Sequence, residues 1–156
     1  NQYAHHQNIL LLVETVPAKT INSNLQTISQ HSLSANTVIR RAQQDHISVT
    51  NDFCHTFADE FDKPIDQLWQ ALWDKSVTMA PFTKLVHINT VIPPYNGTDS
   101  HHGITDKDFA IPGIFPNREK LIQLLGLFKD RDDIWAINEP SSDHIGNFKA
   151  LLKLIS

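Results

Sequence analysis

The sequence predicts a parallel α/β fold, and three observations carry that prediction. Strand-like and helix-like segments alternate four times along the chain, no hairpin signal joins any two strands, and every strand-like segment runs out into a residue of metal-ligand type. Alternation of this kind implies parallel strands joined by right-handed crossovers. In barrels built this way the chemistry sits at the C-terminal ends of the strands.

The first strand is expected over Asn8–Val13, where Ile9-Leu-Leu-Leu-Val13 is apolar without a break, as a strand buried on both faces should be. It exits at Glu14, and Pro17 soon follows. Leu25 and Ile28 give Asn22–His31 a short helical face, and Ser34 is placed to cap a helix through Ala42 with Val38 and Ile39 inward. The second strand, His46–Asn51, ends at Asp52-Phe-Cys-His55. Asp62-Lys-Pro64 reads as the cap and first turn of a helix. Its stripe of Ile65, Leu68, Trp69, Leu72 and Trp73 has the spacing of a face packed on a sheet rather than of a base-stacking platform.

Thr83–Asn89 forms the third strand, with His87 near its end. A loop from Thr90 to Pro116 follows and contains Asp99-Ser-His101; loops of this length are usually functional or disordered. Its Tyr95 and Phe109 are placed either to touch nucleic acid or to anchor the loop in the core. Asn117 can cap a helix Arg118–Phe128 with Leu121, Ile122, Leu124 and Leu125 inward. The fourth strand, Ile134–Asn138, runs into Glu139, and Ser141 or Ser142 caps a last helix with Ile145, Phe148, Leu151, Leu152 and Ile155 inward.

At 156 residues, 40% hydrophobic and 19% charged, the chain has the size and composition of one soluble domain, and no internal boundary divides 1–156. No apolar run approaches the ~20 residues of a membrane span, and the start lacks a basic-then-apolar signal peptide. No membrane partner is therefore expected. The single Cys54 excludes an internal disulfide framework and favours a reducing compartment, so an intracellular location, cytoplasmic or nucleoid/nuclear, is expected. Cys54 itself reads as a small buried filler. A net charge of −4 argues against a simple basic nucleic-acid binder. Glu14, Asp52, Asp99 and Glu139 match that charge in number, and divalent cations among them would turn their face positive.

A buried carboxylate is costly unless paired or metal-bound. An Asp and a His three residues apart at a strand exit therefore point to metal or acid–base chemistry. One such pair is commonplace, but Glu14, Asp52 with His55, His87 and Glu139 mark all four strand ends. These pieces resemble the endonuclease IV family, metal-dependent apurinic/apyrimidinic endonucleases with a TIM-barrel fold. The family's Asp-Thr-Cys-His-Ala-Phe-Ala-Ala-Gly-Tyr-Asp is similar to Asp52-Phe-Cys-His-Thr-Phe-Ala-Asp-Glu-Phe-Asp62. Its His-Leu-Asn-Asp resembles His87-Ile-Asn-Thr90, and its Asp-Arg-His-His resembles Asp99-Ser-His-His102. Its two strand-end glutamates match Glu14 in Leu-Val-Glu-Thr and Glu139 in Ile-Asn-Glu-Pro.

The resemblance implies a zinc-dependent endodeoxyribonuclease that hydrolyses the phosphodiester 5′ to an abasic site in DNA repair. It implies one zinc among Glu14, Asp52, His87 and Glu139, with Glu14 also reaching towards a second. A further zinc would lie among His55, Asp99 and His101. The family pattern is three zinc ions, with manganese as an alternative at one or more sites. Glu139 or Glu14 would orient the attacking water.

The chain resembles only the last four of the family's eight strand–helix units, so a half barrel is expected. It should need the missing N-terminal barrel half, or another chain, as partner, besides DNA with abasic sites. His5 and His6 precede the first strand and are expected at the surface. Thr90 stands where the family has a second Asp, and Gly103-Ile-Thr-Asp-Lys-Asp replaces its glycine-rich segment. One rival reading is a sugar isomerase or epimerase of the same barrel superfamily, whose His-x-x-x-Asn-x-Arg pattern lacks its Arg here. Another is a non-catalytic half-barrel module.

Overall fold

The computed structural model describes residues 4, 6–17, 33–57, 63–97 and 100–156, with the backbone alone of 19–21 and 27–29. Its centre is a four-stranded parallel sheet alternating with helices. In chain order the elements are β1 (Leu12–Glu14), β2 (Lys19–Ile21), β3 (Thr27–Ser29), α1 (Ala35–Asp45), β4 (Ser48–Asp52) and α2 (Ile65–Met79). After a short 3₁₀ turn come β5 (Thr83–Ile88), α3 (Asp106–Phe109), α4 (Arg118–Gly126), β6 (Trp135–Asn138) and α5 (His144–Ile155). The sheet order is β1-β4-β5-β6, so consecutive main-sheet strands are neighbours.

The parallel alternation agrees with the sequence, and one insertion departs from it. β2 and β3 form a separate antiparallel pair, with Lys19 opposite Ser29 and Ile21 opposite Thr27. This corrects both the helical face expected over Asn22–His31 and the expected absence of hairpins. Thr20, Ile21, Thr27 and Ile28 are β-branched and suit an extended backbone better than a helix; two apolar residues at helical spacing were too few to outweigh them. Leu25 lies outside the described residues.

Strand starts also shift. β1 begins at Leu12 rather than Asn8, because its ladder partner β4 begins only at Ser48. Ile9, Leu10 and Leu11 are left more than half exposed. β4 starts late because α1 runs three residues past Ala42 and closes at His46, which takes the left-handed conformation (φ 53°). As expected, Ser34 caps α1, its hydroxyl accepting from the Thr37 amide.

One sheet face packs on the helices. Val86 and Ile88 of β5 join Leu68 and Leu72 of α2, Leu121 and Leu124 of α4 and Leu151 of α5 in the main core. Side chains alternate along a strand, so Leu85 and His87 lie on the opposite face. Their partners Trp135 and Ile137 on β6 are 75% and 44% exposed. Trp69 and Trp73 lie against the core, as the packing reading of α2 required, whereas Ile65 is 39% exposed. Pro64 is the N-cap of α2, without a side-chain cap, and Asp62 lies outside the described residues.

α5 shows the largest departure. Leu151 is buried, but Ile145, Phe148, Leu152 and Ile155 are exposed, from 47% to 73%. Ile122 of α4 is exposed as well. The stripes lie where the sequence puts them, but β6 is the sheet's edge, and no described element beyond it covers them. Asp143, not Ser141 or Ser142, caps α5 by accepting from the Gly146 amide. Of the described helices, none is long and apolar enough to cross a membrane.

Candidate metal centre

Each parallel strand delivers one chemical group to the same end of the sheet. Glu14 closes β1, Asp52 closes β4, His87 is the penultimate residue of β5, and Glu139 directly follows β6. Registers of Glu14 with Thr50 and Asp52 with His87 set them nearly level. The His87 Nδ1 lies 3.1 Å from Glu14 Oε1, 3.2 Å from Glu139 Oε2 and 3.6 Å from Asp52 Oδ2. The expected convergence of these four is thus present in the geometry.

Two further imidazoles flank this group. The turn after β4 is wound around Asp52, whose Oδ1 accepts from the amides of Cys54 (2.7 Å) and His55 (3.0 Å). That turn brings His55 Nδ1 to 3.7 Å from Asp52 Oδ2 and 3.8 Å from Glu14 Oε1. His101 arrives from the long loop. Thr90 and His102 exchange two backbone hydrogen bonds, and the Ser141 amide donates to the His101 carbonyl (2.9 Å). The His101 ring centroid then lies 5.5 Å from that of His55, and its Nδ1 is 3.9 Å from Glu139 Oε2. Asp99 lies outside the described residues, as does His5; His6 is exposed.

The donors fit a divalent cation. Ligand atoms of Glu14, Asp52 and His87 lie within 4.8 Å of one another, and so do those of Asp52, His55 and His101. Asp52, fully buried, belongs to both groups. Carboxylate and imidazole together suit zinc or manganese. Three carboxylates around one imidazole repel each other unless a positive charge sits among them. In the bare protein that charge is a proton. Burial opposes an imidazolium at His87, yet Asp52, Glu14 and Glu139 together raise its pKa to about 10. Burial likewise opposes ionisation of Asp52, but His87, His55, His101 and the Cys54 amide hold its carboxyl below the usual range.

Residues outside the expected ligand set build the support. Asn89 lies two residues beyond His87 and so on the same face; its amide donates to Asp52 Oδ2 at 3.3 Å, while its buried Oδ1 has no protein partner. Thr90 donates from its hydroxyl to the Gly103 carbonyl (2.7 Å) and ties down the loop. A Cβ on Gly103 would sit 2.4 Å from Asn147 Oδ1 and 2.5 Å from Asp108 Oδ2, so any larger residue would have to displace these side chains. Thr15 and Thr56 are fully buried beside Asp52. Their signal was polarity immediately beside a ligand residue in an apolar setting.

Tyr95 and Phe109 anchor the loop: both pack on the core, and Arg118 lies over the Phe109 ring at 4.7 Å. Cys54 is buried in that core, as expected. No protein-family model matches this chain, and neither does any curated protein.

Proposed function

We propose that this chain is the metal-binding half of an endonuclease IV-like barrel, an enzyme that hydrolyses the phosphodiester 5′ to an abasic site in DNA. The observation that carries the reading is the meeting of Glu14, Asp52, His87 and Glu139 at one end of four parallel strands, with His55 and His101 alongside.

Glu14, Asp52, His87 and Glu139 would hold one zinc, and His55, Asp99 and His101 another, with manganese as an alternative. Metal bound there supplies Lewis-acid charge for the phosphate oxygens and lowers the pKa of water towards neutrality. The protein's own part is placement. Asp52, gripped by the two turn amides, cannot swing away from the site. Glu14 and Glu139 are half-buried, each with an oxygen close to His87 Nδ1. Either is placed to orient a water against the phosphorus.

The half-barrel part of the proposal rests on the uncovered sheet. β1 and β6 each have one neighbour in the main sheet among the described residues, and both edges are apolar: Ile9, Leu10 and Leu11 at one, Trp135 and Ile137 at the other. Unpaired strand edges seek further strands. A complementary half-barrel, in the same polypeptide or another chain, would pair both edges and bring the remaining ligands.

The test is cleavage of a duplex carrying one abasic site, by the chain together with its complementary half, in zinc or manganese. A 3′-hydroxyl and a 5′-deoxyribose phosphate are the expected ends; no incision under any metal condition would reject the nuclease. Glu14 and Glu139 approaching His87 from opposite sides also matches the two-glutamate pattern of sugar epimerases. Metal-dependent ketose epimerisation in the same preparation would transfer the assignment to that class.

A further inference from the structure

We propose that Thr15 is a positioning residue, one whose hydroxyl and carbonyl together fix Asp52 and His55 for a divalent cation. The proposal rests on the metal-centre reading above and concerns how this chain prepares that centre.

Thr15 follows Glu14 directly and is fully buried, as are Asn51, Thr56 and Ser76. Its hydroxyl oxygen accepts from the Asp52 amide at 3.2 Å and lies 3.1 Å from the Thr56 hydroxyl. Thr56 donates its one proton to Asn51 Oδ1 at 2.7 Å. The Thr15–Thr56 contact therefore has Thr15 as its donor. Asn51 in turn donates to the Ser76 hydroxyl on α2 at 3.1 Å. The Thr15 and Thr56 hydroxyl protons are thus both assigned, in a run from the exit of β1 through the exit of β4 to α2.

The Thr15 carbonyl supplies the second half of the device. It is 2.9 Å from His55 Nδ1, nearer than the carboxylates of Asp52 and Glu14. A carbonyl only accepts, so the His55 proton resides on Nδ1, and Nε2 keeps its lone pair for a ligand. Carbonyl partners of this kind set the tautomer and orientation of metal-binding histidines. One residue therefore contacts two candidate ligands and is bonded to a third, Glu14.

A buried valine would fill nearly the same volume without the hydroxyl's bonds to the Asp52 amide and Thr56, while keeping the carbonyl that meets His55. If the threonine served packing alone, the exchange would alter stability and leave metal affinity unchanged. Thr83 offers the comparison: it is also fully buried, its hydroxyl donates to the Met79 carbonyl at 3.0 Å, and it lies at the far end of β5 from the centre.

The experiment measures zinc affinity by competition with a chromophoric chelator for wild type, Thr15→Val, Thr15→Ser and Thr83→Val. Metal-free protein is examined in parallel by ¹⁵N imidazole NMR. Thr15→Val should weaken zinc binding about 10–100-fold, the usual cost of losing a partner of a metal ligand, while the protected His55 Nδ1–H signal should persist, because valine keeps the carbonyl. Thr15→Ser should restore the affinity, and Thr83→Val should lower stability while leaving the affinity and that signal intact. Wild-type affinity in Thr15→Val would overturn the positioning role and leave the metal centre standing. No zinc or manganese binding by wild type would overturn the metal centre and this role with it.

Discussion

His87 Nδ1 and Glu14 Oε1 meet at 3.1 Å although the strands that carry them are not neighbours in the sheet. β4 runs between them, and adjacent strands stand ~4.8 Å apart. Both side chains must therefore lean over the end of β4, where Asp52 sits fully buried. Glu139 reaches the same nitrogen from the far side. The sheet end is thus a ring of negative groups around one imidazole, and its charge balance decides how it behaves without metal.

That balance predicts a pH profile for chelator-treated protein. The folded pKa of His87 is raised from 6.5 to about 10. Its contribution to stability is fully present below 6.5 and is lost as pH rises through about 10. Asp52 is shifted down from 3.8, so its contribution is present above 3.8 and is lost as pH falls through the lower folded value. Unfolding midpoints in chelator should therefore plateau between these limits and decline above pH 6.5. Metal must displace the His87 proton, so saturating zinc should add more stability at pH 8 than at pH 6. A metal-free midpoint that climbs from pH 7 to 10 would contradict the charge assignment.

Association is the second prediction. Trp135, Ile145, Phe148 and Ile155 are each more than half exposed around β6 and α5. Burying such a side chain is worth ~1.5–3 kcal/mol. Size-exclusion chromatography with light scattering should find the chain associated at micromolar concentration. Trp135→Ser with Phe148→Ser should shift it towards monomer. A monodisperse 17.7 kDa wild-type species would count against an uncovered face.

Much of this was legible in the sequence for a physical reason. Parallel strands must leave their chemistry at one end, so strand-exit residues such as Asp52 and Glu139 could be read before any geometry. Helix caps at Ser34 and Asn117 were legible too, because a short oxygen side chain before an apolar stripe has few other uses. Side-chain burial in α5 was not, since Ile145 and Phe148 have helical periodicity whether or not a partner lies against them. The Thr15–Thr56–Asn51 chain was equally invisible. Its residues stand 41 and 5 positions apart, and nothing in their types announces that they meet.

Arg131 provides a third test, remote from the site. Its guanidinium donates to the carbonyls of Ala80 (2.5 Å) and Thr83 (3.2 Å) and to both carboxylate oxygens of Asp133. It thereby fastens the turn before β5 to the segment leading into β6. Arg131→Ala should cost ~1.5–3 kcal/mol, the usual worth of hydrogen bonds to a charged group. Arg131→Lys should recover little, because an ammonium cannot reproduce the planar fork. Denaturant unfolding would show this as a lower midpoint with an unchanged slope.

The last prediction joins metal to reaction through His101. This imidazole stands beside His55 at the mouth of the long loop, held there by the Thr90–His102 bridge and the Ser141 amide. It is partly exposed and is not among the core cluster residues, so its loss opens no apolar cavity. His101→Ala withdraws one of the groups that hold Asp52 ionised, so it should lower stability in chelator by ~1 kcal/mol, the typical size for a point change, without unfolding the chain. Bound zinc should fall, because one donor of the Asp52–His55–His101 group is gone. If the complete barrel is the proposed nuclease, abasic-site cleavage should drop by roughly 10²–10³-fold, the scale on which one electrostatic stabiliser of a transition state acts. Activity and zinc content would be measured on the same samples. Cleavage and zinc both unchanged would reject the multi-metal nuclease, whereas ketose epimerisation surviving the mutation would favour a single metal held by Glu14, Asp52, His87 and Glu139.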